Sequence, residues 1–365
     1  MKVLYIIPDL EYGNAARQLT WLAPALNESG IQCRVCVLSG HGPLSRSLAQ
    51  LPVNYLDWSR SVDLIPFWHL RRILSSFQPD IVHCWRRESL RALAAVRFRS
   101  KVSVIVSLFS GDALSGGAWC KVDSWLLRRA DRLVVQWSAE LERWRSLGIP
   151  SEKLLRISPG VKVPEASNAF EESQADSYLP PNSRTILCVG PLEPSKGIKD
   201  AVWAFHIVGF LYTDLHLVLV GDGPERERLS RLAGSLFPER IISLPSQEES
   251  GRTLARADIV WVPSVKPRGF NVALEAMAAG KPVVASRLPG LMDIVQDGET
   301  GVLINAGDQV SLARQTRKLL DDPDRRRQMG EAGRYRVQEH FSLSSLARAY
   351  TKVYQAVIQA PAKNT

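Results

Sequence analysis

The chain has 365 residues, of which 45% are hydrophobic and 23% charged, with a formal net charge of +9. That length is more than one core needs and suits two, and the composition excludes a disordered chain. No apolar run reaches the roughly 18 residues that would mark a membrane-spanning helix.

The opening Met1–Pro8 is too short for a secretory leader and lacks a small-residue cleavage site. It reads as a first buried strand, Val3–Ile7, of a chain expected to be cytoplasmic. Gly13-Asn14 opens a helix with Leu19, Leu22 and Leu26 on one face. Strands are expected at Ile31–Leu38 and Val53–Leu56, a helix at Pro66–Phe77, and a strand at Ile81–Cys84 after the break at Pro79-Asp80. Val102–Leu108 is a continuous β-branched apolar run, the pattern of a strand buried on both faces. A helix at Asp123–Arg129, a strand at Arg132–Gln136, a helix at Ser138–Leu147 and a strand at Leu154–Ile157 complete the first half. Val163–Asn182 then loses periodicity and gathers Pro, Ser, Ala and acidic residues, as an interdomain linker does.

The alternation resumes, with strands expected at 186–190, 215–221, 240–244, 258–262 and 282–285. Helices are expected at 197–210, 224–236, 271–279, 290–296, 308–320 and 323–338. The last helix, Ser342–Ala360, carries Leu346, Ala349, Tyr350, Val353, Tyr354 and Val357 on its apolar face. Strand–helix alternation in both halves predicts an α/β protein with two doubly wound parallel sheets.

Cysteines 33, 36, 84, 120 and 188 are scattered and odd in number, as expected of reduced structural thiols. Cys33 and Cys36 have the C-x-x-C spacing, but on a strand they face opposite sides and no second pair exists to complete a zinc site. Residues 1–163 hold 22 Lys and Arg against 13 Asp and Glu, whereas residues 164–365 hold 24 of each. The whole basic excess therefore sits in the first half, together with eight of the ten tryptophans. Trp119–Arg132 joins Trp119 and Trp125 to Lys121, Arg128, Arg129 and Arg132, a combination suited to a membrane interface or to an ordinary basic surface.

Three strand-to-helix crossovers in the second half carry small residues where parallel sheets bind ligands. They are Gly190-Pro191-Leu192-Glu193-Pro194-Ser195-Lys196-Gly197, Gly221-Asp222-Gly223-Pro224-Glu225, and Pro263-Ser264 leading to Gly269-Phe270-Asn271-Val272-Ala273-Leu274-Glu275. Helix N-termini at these places offer N–H groups and a positive dipole end to a diphosphate. Lys196, set against the dipole at a helix start, points to a nearby anion. Glu275 can accept both ribose hydroxyls, or can be a carboxylate stabilised by its helix dipole. Gly221-Asp222-Gly223 reads foremost as turn geometry.

These blocks resemble the C-terminal half of the retaining GT-B glycosyltransferases of family four, which include bacterial mannosyl-, glucosyl- and N-acetylglucosaminyltransferases. The resemblance covers nearly the whole chain and is strongest after about residue 185. It implies two Rossmann-like domains with a cleft between them. Residues 1–163 would form the acceptor domain, 164–183 the linker and 184–341 the donor domain, with the terminal helix 342–360 packing back on the first domain. It further implies metal-independent transfer with retention from a UDP- or GDP-sugar co-substrate, and no bound cofactor.

By that resemblance Lys196 and Glu275 would be catalytic. Donor contacts would come from Gly13, Gly190, Lys196, Gly197, Gly221, Arg268, Gly269, Phe270, Asn271, Val272, Leu274 and Glu275. Three positions depart from the family. Pro191 stands where an Arg clasps the diphosphate, Pro267 where the first of two glutamates stands, and Val106–Ser110 contains no His. Partners implied are the nucleotide sugar, an anionic or lipid-linked acceptor and peripheral contact with the inner face of a membrane; no nucleic-acid module is present. The departures keep a rival open, a catalytically impaired homologue that binds a sugar or a partner in glycan assembly. A nucleotide-sugar epimerase is a third reading.

Overall fold

The computed structural model describes residues 1–58, 65–96, 102–109, 118–163, 179–180, 183–244 and 250–359. The chain divides into two compact units, Met1–Gly160 with Leu343–Thr365, and Val161–Ser342. Among the described residues no helix is long and apolar enough to cross a membrane. The linker expected at 164–183 lies almost wholly outside the described residues.

The first unit is a parallel sheet of β1 (Lys2–Ile7), β2 (Gln32–Val37), β3 (Val53–Tyr55), β4 (Ile81–Trp85), β5 (Ser103–Ser107), β6 (Arg132–Val135) and β7 (Leu154–Arg156). Their order is β3-β2-β1-β4-β5-β6-β7, so the strand order reverses between β1 and β4. Side chains alternate across each strand, which splits the core in two. Val3, Tyr5 and Ile7 face α1 (Asn14–Glu28) and the final helix α13 (Leu343–Gln359). Leu4 and Ile6 face the other layer, made by α2 (Ile65–Phe77), α3 (Arg87–Ala95), α4 (Ala118–Arg129) and α5 (Ser138–Ser146). Cys33 and Cys36 fall into opposite cores, and both thiols are pushed up to about 12 by burial.

The second unit repeats the plan with β8 (Arg184–Val189), β9 (Leu215–Val220), β10 (Ile241–Leu244), β11 (Ile259–Val262), β12 (Val283–Ser286) and β13 (Val302–Ile304). The order is β10-β9-β8-β11-β12-β13, all parallel, with the reversal between β8 and β11. Its helices are α6 (Ile198–Gly209), α7 (Arg226–Leu236), α8 (Ser250–Arg256), α9 (Phe270–Ala278), α10 (Leu291–Ile294), α11 (Gln309–Asp321) and α12 (Pro323–His340). The doubly wound α/β class expected from the alternation is the observed one. Three elements escaped the sequence reading: α3, α8 and β13. Helix α8 has seven residues and β13 three, too few to display a period. Helix α3 starts directly after Arg86, whose φ of 72° turns the chain abruptly.

Helix α13 is fixed to the first sheet by more than its apolar face. Tyr350 and Tyr354 are buried and reach a polar cluster inside the sheet. The Tyr354 hydroxyl lies 2.8 Å from His83 Nδ1 and 3.2 Å from the Tyr5 hydroxyl. Ser107 Oγ lies 2.8 Å from His83 Nε2 and 2.9 Å from the Tyr350 hydroxyl. Burial lowers His83 to about 3, so the ring is neutral and serves as one donor and one acceptor. A network satisfied this fully stabilises the docking of α13, because each group would otherwise be desolvated without compensation. Tyr354→Phe should therefore lower stability by about 1–3 kcal/mol in denaturant unfolding; a change below about 0.5 kcal/mol, the level of an inert surface substitution, would show that the network does not anchor the helix.

Candidate donor site

At the C-terminal edge of the second sheet the turns after β8, β9 and β11 are held together by backbone. Gly190 N donates to Val220 O at 2.9 Å, and Leu192 N to Asp222 O at 2.9 Å. Gly221 has φ +149°, and a Cβ there would stand 2.0 Å from Gly190 O. Gly197 has φ +67°, and its Cβ would stand 2.0 Å from Pro263 O. Val265 N donates to Ser195 O at 3.0 Å, joining the β8 and β11 turns a second time. No L side chain fits either glycine, so these residues let three turns approach within backbone contact.

The charged groups of the site ride on these turns. Pro194–Lys196 forms one turn of 3-10 helix, and Gly197 then caps α6. The Lys196 side chain is half-buried and lies over Gly190, since a Cβ on Gly190 would stand 3.5 Å from Nζ. Burial depresses the Lys196 ammonium to about 8, repulsion from Arg268 lowers it too, and Glu193 acts in the opposite direction. Glu193 accepts the Ser195 hydroxyl at 2.6 Å, and its Oε1 lies 3.2 Å from Arg268 Nη1. The ion pair is largely exposed and contributes little to stability. Its effect is positional: it holds Arg268, from the β11 turn, on the side of the site where Lys196 stands.

Gly269 caps α9, and its first turn is Phe270, Asn271 and Val272, whose N–H groups have no acceptor within the helix by helix geometry. The side chains of Phe270, Val272 and Leu274 are buried in the unit. Phe270 packs so closely on the α10 turn that a Cβ on Gly290 would stand 2.5 Å from its ring. Phe270 and Val272 therefore present no side chain to a ligand, and Leu274, deeper in the helix with its N–H bonded within it, presents neither side chain nor N–H. Glu275 is the sixth residue of α9 and half-buried. That places it about 7.5 Å along the axis from the first helical residue, beyond the first turn where the dipole acts most strongly. The dipole reading of Glu275 loses its basis.

Gly13 belongs to the first unit, where it precedes α1. Its φ of −160° is ordinary extended backbone and its surroundings are open, so nothing in its conformation requires glycine. Pro191 and Pro267 are in the two turns that meet, and Pro267 is exposed. Asp222 accepts Gly223 N at 2.8 Å, the local bond of a turn-forming Asp. The segment without His pairs beside a strand that does carry one: His83 on β4 reaches Ser107 on β5 within the sheet. Sequence reading also passed over Glu193 as a charged site residue, because its partner Arg268 is remote in the chain. Among the described residues no cluster of His, Cys, Asp and Glu is placed to hold a metal ion.

Comparison with known proteins agrees with this architecture. Residues 169–336 match the family pattern Glycosyl transferases group 1, and residues 15–164 match Glycosyltransferase Family 4. The lipopolysaccharide core biosynthesis glycosyltransferase LpsD of Rhizobium meliloti is 26% identical over 97% of this chain and 98% of its own length. A phosphatidyl-myo-inositol mannosyltransferase of Mycobacterium leprae is 34% identical over 60% of this chain and 58% of its own length. The solved structure of Anabaena Alr3699/HepE in complex with UDP-glucose covers 98% of this chain and 100% of its own, with a TM-score of 0.82 at 20% identity. The fold is the GT-B fold.

Gly221→Ala should lower stability by roughly 1–3 kcal/mol, the order of cost for a side chain forced into a left-handed backbone conformation, whereas Gly13→Ala should change it by less than about 0.5 kcal/mol. Equal effects in denaturant unfolding would mean that the turn contacts do not constrain the site.

Proposed function

We propose that this chain, built from the two domains of group 1 glycosyltransferases, transfers a hexose from a UDP- or GDP-sugar to a hydroxyl-bearing acceptor with retention and without a metal. The observation that carries the reading is Lys196, a half-buried cation laid over Gly190 where the β8 and β11 turns meet at the sheet reversal. Ligands of open parallel sheets bind at such a reversal. A donor diphosphate there would meet Lys196 and the first-turn N–H groups of α9, with Arg268 held beside it by Glu193. Glu275, further along α9, would accept the ribose hydroxyls and orient the donor.

In the reaction the bond from the sugar anomeric carbon to the diphosphate oxygen breaks. The acceptor oxygen forms its bond on the same face, and the acceptor proton passes to the leaving diphosphate. Lys196 stabilises the negative charge that develops on that leaving group. With the Pro267 side chain unable to accept a hydrogen bond from the sugar, sugar choice and rate depend on the backbone around Gly269 and on Glu193. The named relatives in lipopolysaccharide core and phosphatidyl-inositol metabolism support an acceptor that is anionic or lipid-linked.

The second reading, a catalytically impaired homologue that binds a sugar or a partner protein, is favoured by Pro191 and Pro267. Binding separates neither reading from the other, but it tests the donor site common to both. In calorimetry with UDP and GDP, Glu275→Ala should weaken affinity about tenfold to a hundredfold, since a charge-assisted hydrogen bond contributes about 1.5–3 kcal/mol. Lys196→Ala should weaken the nucleoside diphosphate while leaving the nucleoside unchanged. An unaltered diphosphate affinity in both variants would remove the site from this edge.

The pH dependence follows from Lys196. Its ammonium is present below about 8 in the free protein, and a bound diphosphate favours the charged form. Affinity for a nucleoside diphosphate should therefore be full below about pH 8 and fall as pH rises above it. The fall should vanish in Lys196→Ala. A profile that is flat to pH 10 in the wild type, about two units above that value, would show that Lys196 does not face the phosphate.

A further inference from the structure

We infer that the outer face of α6 in the second unit pairs this chain with a second copy of itself about a two-fold axis. A helix that covers a sheet buries one side and turns a polar side to water. The neighbours of α6 do so: α7 exposes Arg226, Glu227, Arg228 and Arg231, and α11 exposes Arg314, Arg317 and Lys318. Helix α6 does not. Ala201, Val202, Phe205 and Val208 fill the core on its inner side. On its outer side Ile207 is 44% exposed, and Phe210 and Leu211, just past its end, are 68% and 55% exposed. An apolar patch of that kind on an otherwise charged layer marks an interaction surface.

The rings of this face are already held in place. The Trp203 and His206 ring centroids are 5.9 Å apart, those of His206 and Phe210 5.0 Å, and those of Phe210 and Phe237 5.1 Å, each pair edge to face. The Arg240 guanidinium lies 4.1 Å from the Phe237 ring centroid. A row of rings fixed by its neighbours loses little freedom when it is covered. Aromatic anchors of this kind carry most of the binding energy of an interface.

The row fits its own image. Lys199, Trp203, His206, Ile207 and Phe210 follow one another at the spacing of a single helix stripe. A two-fold axis between His206 and Ile207 sets two copies antiparallel. Trp203 of one copy then meets Phe210 of the other, and Lys199 meets Asp214, because the members of each pair are equally far from the axis in the chain. Lys199 is exposed at the start of α6, and Asp214, bonded by Arg184 at 2.7 Å, stays 45% exposed beyond its end. Every contact is made twice, as a two-fold interface requires, and the two helix dipoles oppose each other. A lipid surface does not fit. Asp214, and Asp321 bonded by the Tyr212 hydroxyl, stand exposed at the same end of the row, where an anionic leaflet would repel them. A second copy supplies the matching aromatic and charged groups without further assumption. Ile207 and Phe210 lie about 15–20 Å along the helix from Gly197, so the inference does not rest on the donor reading.

The test is sedimentation equilibrium of the full chain from about 1 to about 100 µM, the range for an interface of modest size. The wild type should show a monomer–dimer equilibrium. Ile207→Ser with Phe210→Ser should weaken it at least about a hundredfold, since each buried apolar side chain contributes about tenfold or more and the axis counts it twice. Lys199→Glu alone and Asp214→Lys alone should each weaken it about tenfold, because the axis makes two lost pairs of each. An equimolar mixture of those two variants should restore the dimer, since in the mixed pair both contacts regain opposite charges. Arg228→Gln with Arg231→Gln on α7 should change nothing. Thermal unfolding of every variant shows whether it folds, and UDP titration reports the donor edge separately. A chain that dimerises but binds no nucleotide keeps this inference and loses the donor reading. A wild type still monomeric at about 100 µM overturns the inference and leaves the face to another protein or to lipid. A dimer indifferent to the Ile207 and Phe210 changes overturns it too, and a mixture that does not restore association overturns the antiparallel pairing.

Discussion

The candidate donor edge depends on backbone contacts too close to admit a Cβ. Gly221 faces Gly190 O and Gly197 faces Pro263 O, each at 2.0 Å from where a side chain would begin. These contacts bring the turns after β8, β9 and β11 into one rigid edge, and the charged residues take their places from it. Lys196 lies over Gly190 because the 3-10 turn ends at Gly197; Arg268 reaches Glu193 because the β11 turn is bonded to Ser195. Backbone packing comes first here and charge second. That order explains how the edge keeps its shape while proline stands at positions 191 and 267, since neither side chain is part of the contacts that hold it.

The electrostatics of the edge differ from a simple cationic pocket. Two cations and one carboxylate come together, with the carboxylate on the β8 turn and the arginine on the β11 turn. Burial makes the Lys196 ammonium costly, and Arg268 adds to that cost. An arriving anion would relieve both. Arg268 offers the planar fork that Lys196 lacks.

Much of this was legible in the sequence. Period and punctuation place most strands within a residue or two, and the glycine-rich crossovers point to the candidate edge. The strand order and the close approach of Gly197 to Pro263 were not legible, because residues distant in the chain set them. The same holds for Glu193 with Arg268 and for Asp123 with Arg87 and Arg91. His83 was hidden for another reason: a lone histidine within an apolar strand gives no sign that two hydroxyls and a helix from the far end of the chain will satisfy it. Trp125 was visible as a tryptophan among basic residues, but only the fold shows it exposed while Trp85, Trp137 and Trp144 are buried.

The most direct measurement is turnover of the donor itself. The purified chain should be incubated with UDP-glucose, UDP-N-acetylglucosamine, UDP-galactose and GDP-mannose, and release of free nucleoside diphosphate followed with and without acceptor lipid. The account predicts slow hydrolysis of at least one donor, lost in Lys196→Ala and reduced in Glu275→Ala. A wild-type chain that binds a nucleoside diphosphate but releases none from any donor would contradict the transferase reading and leave the chain a binding homologue.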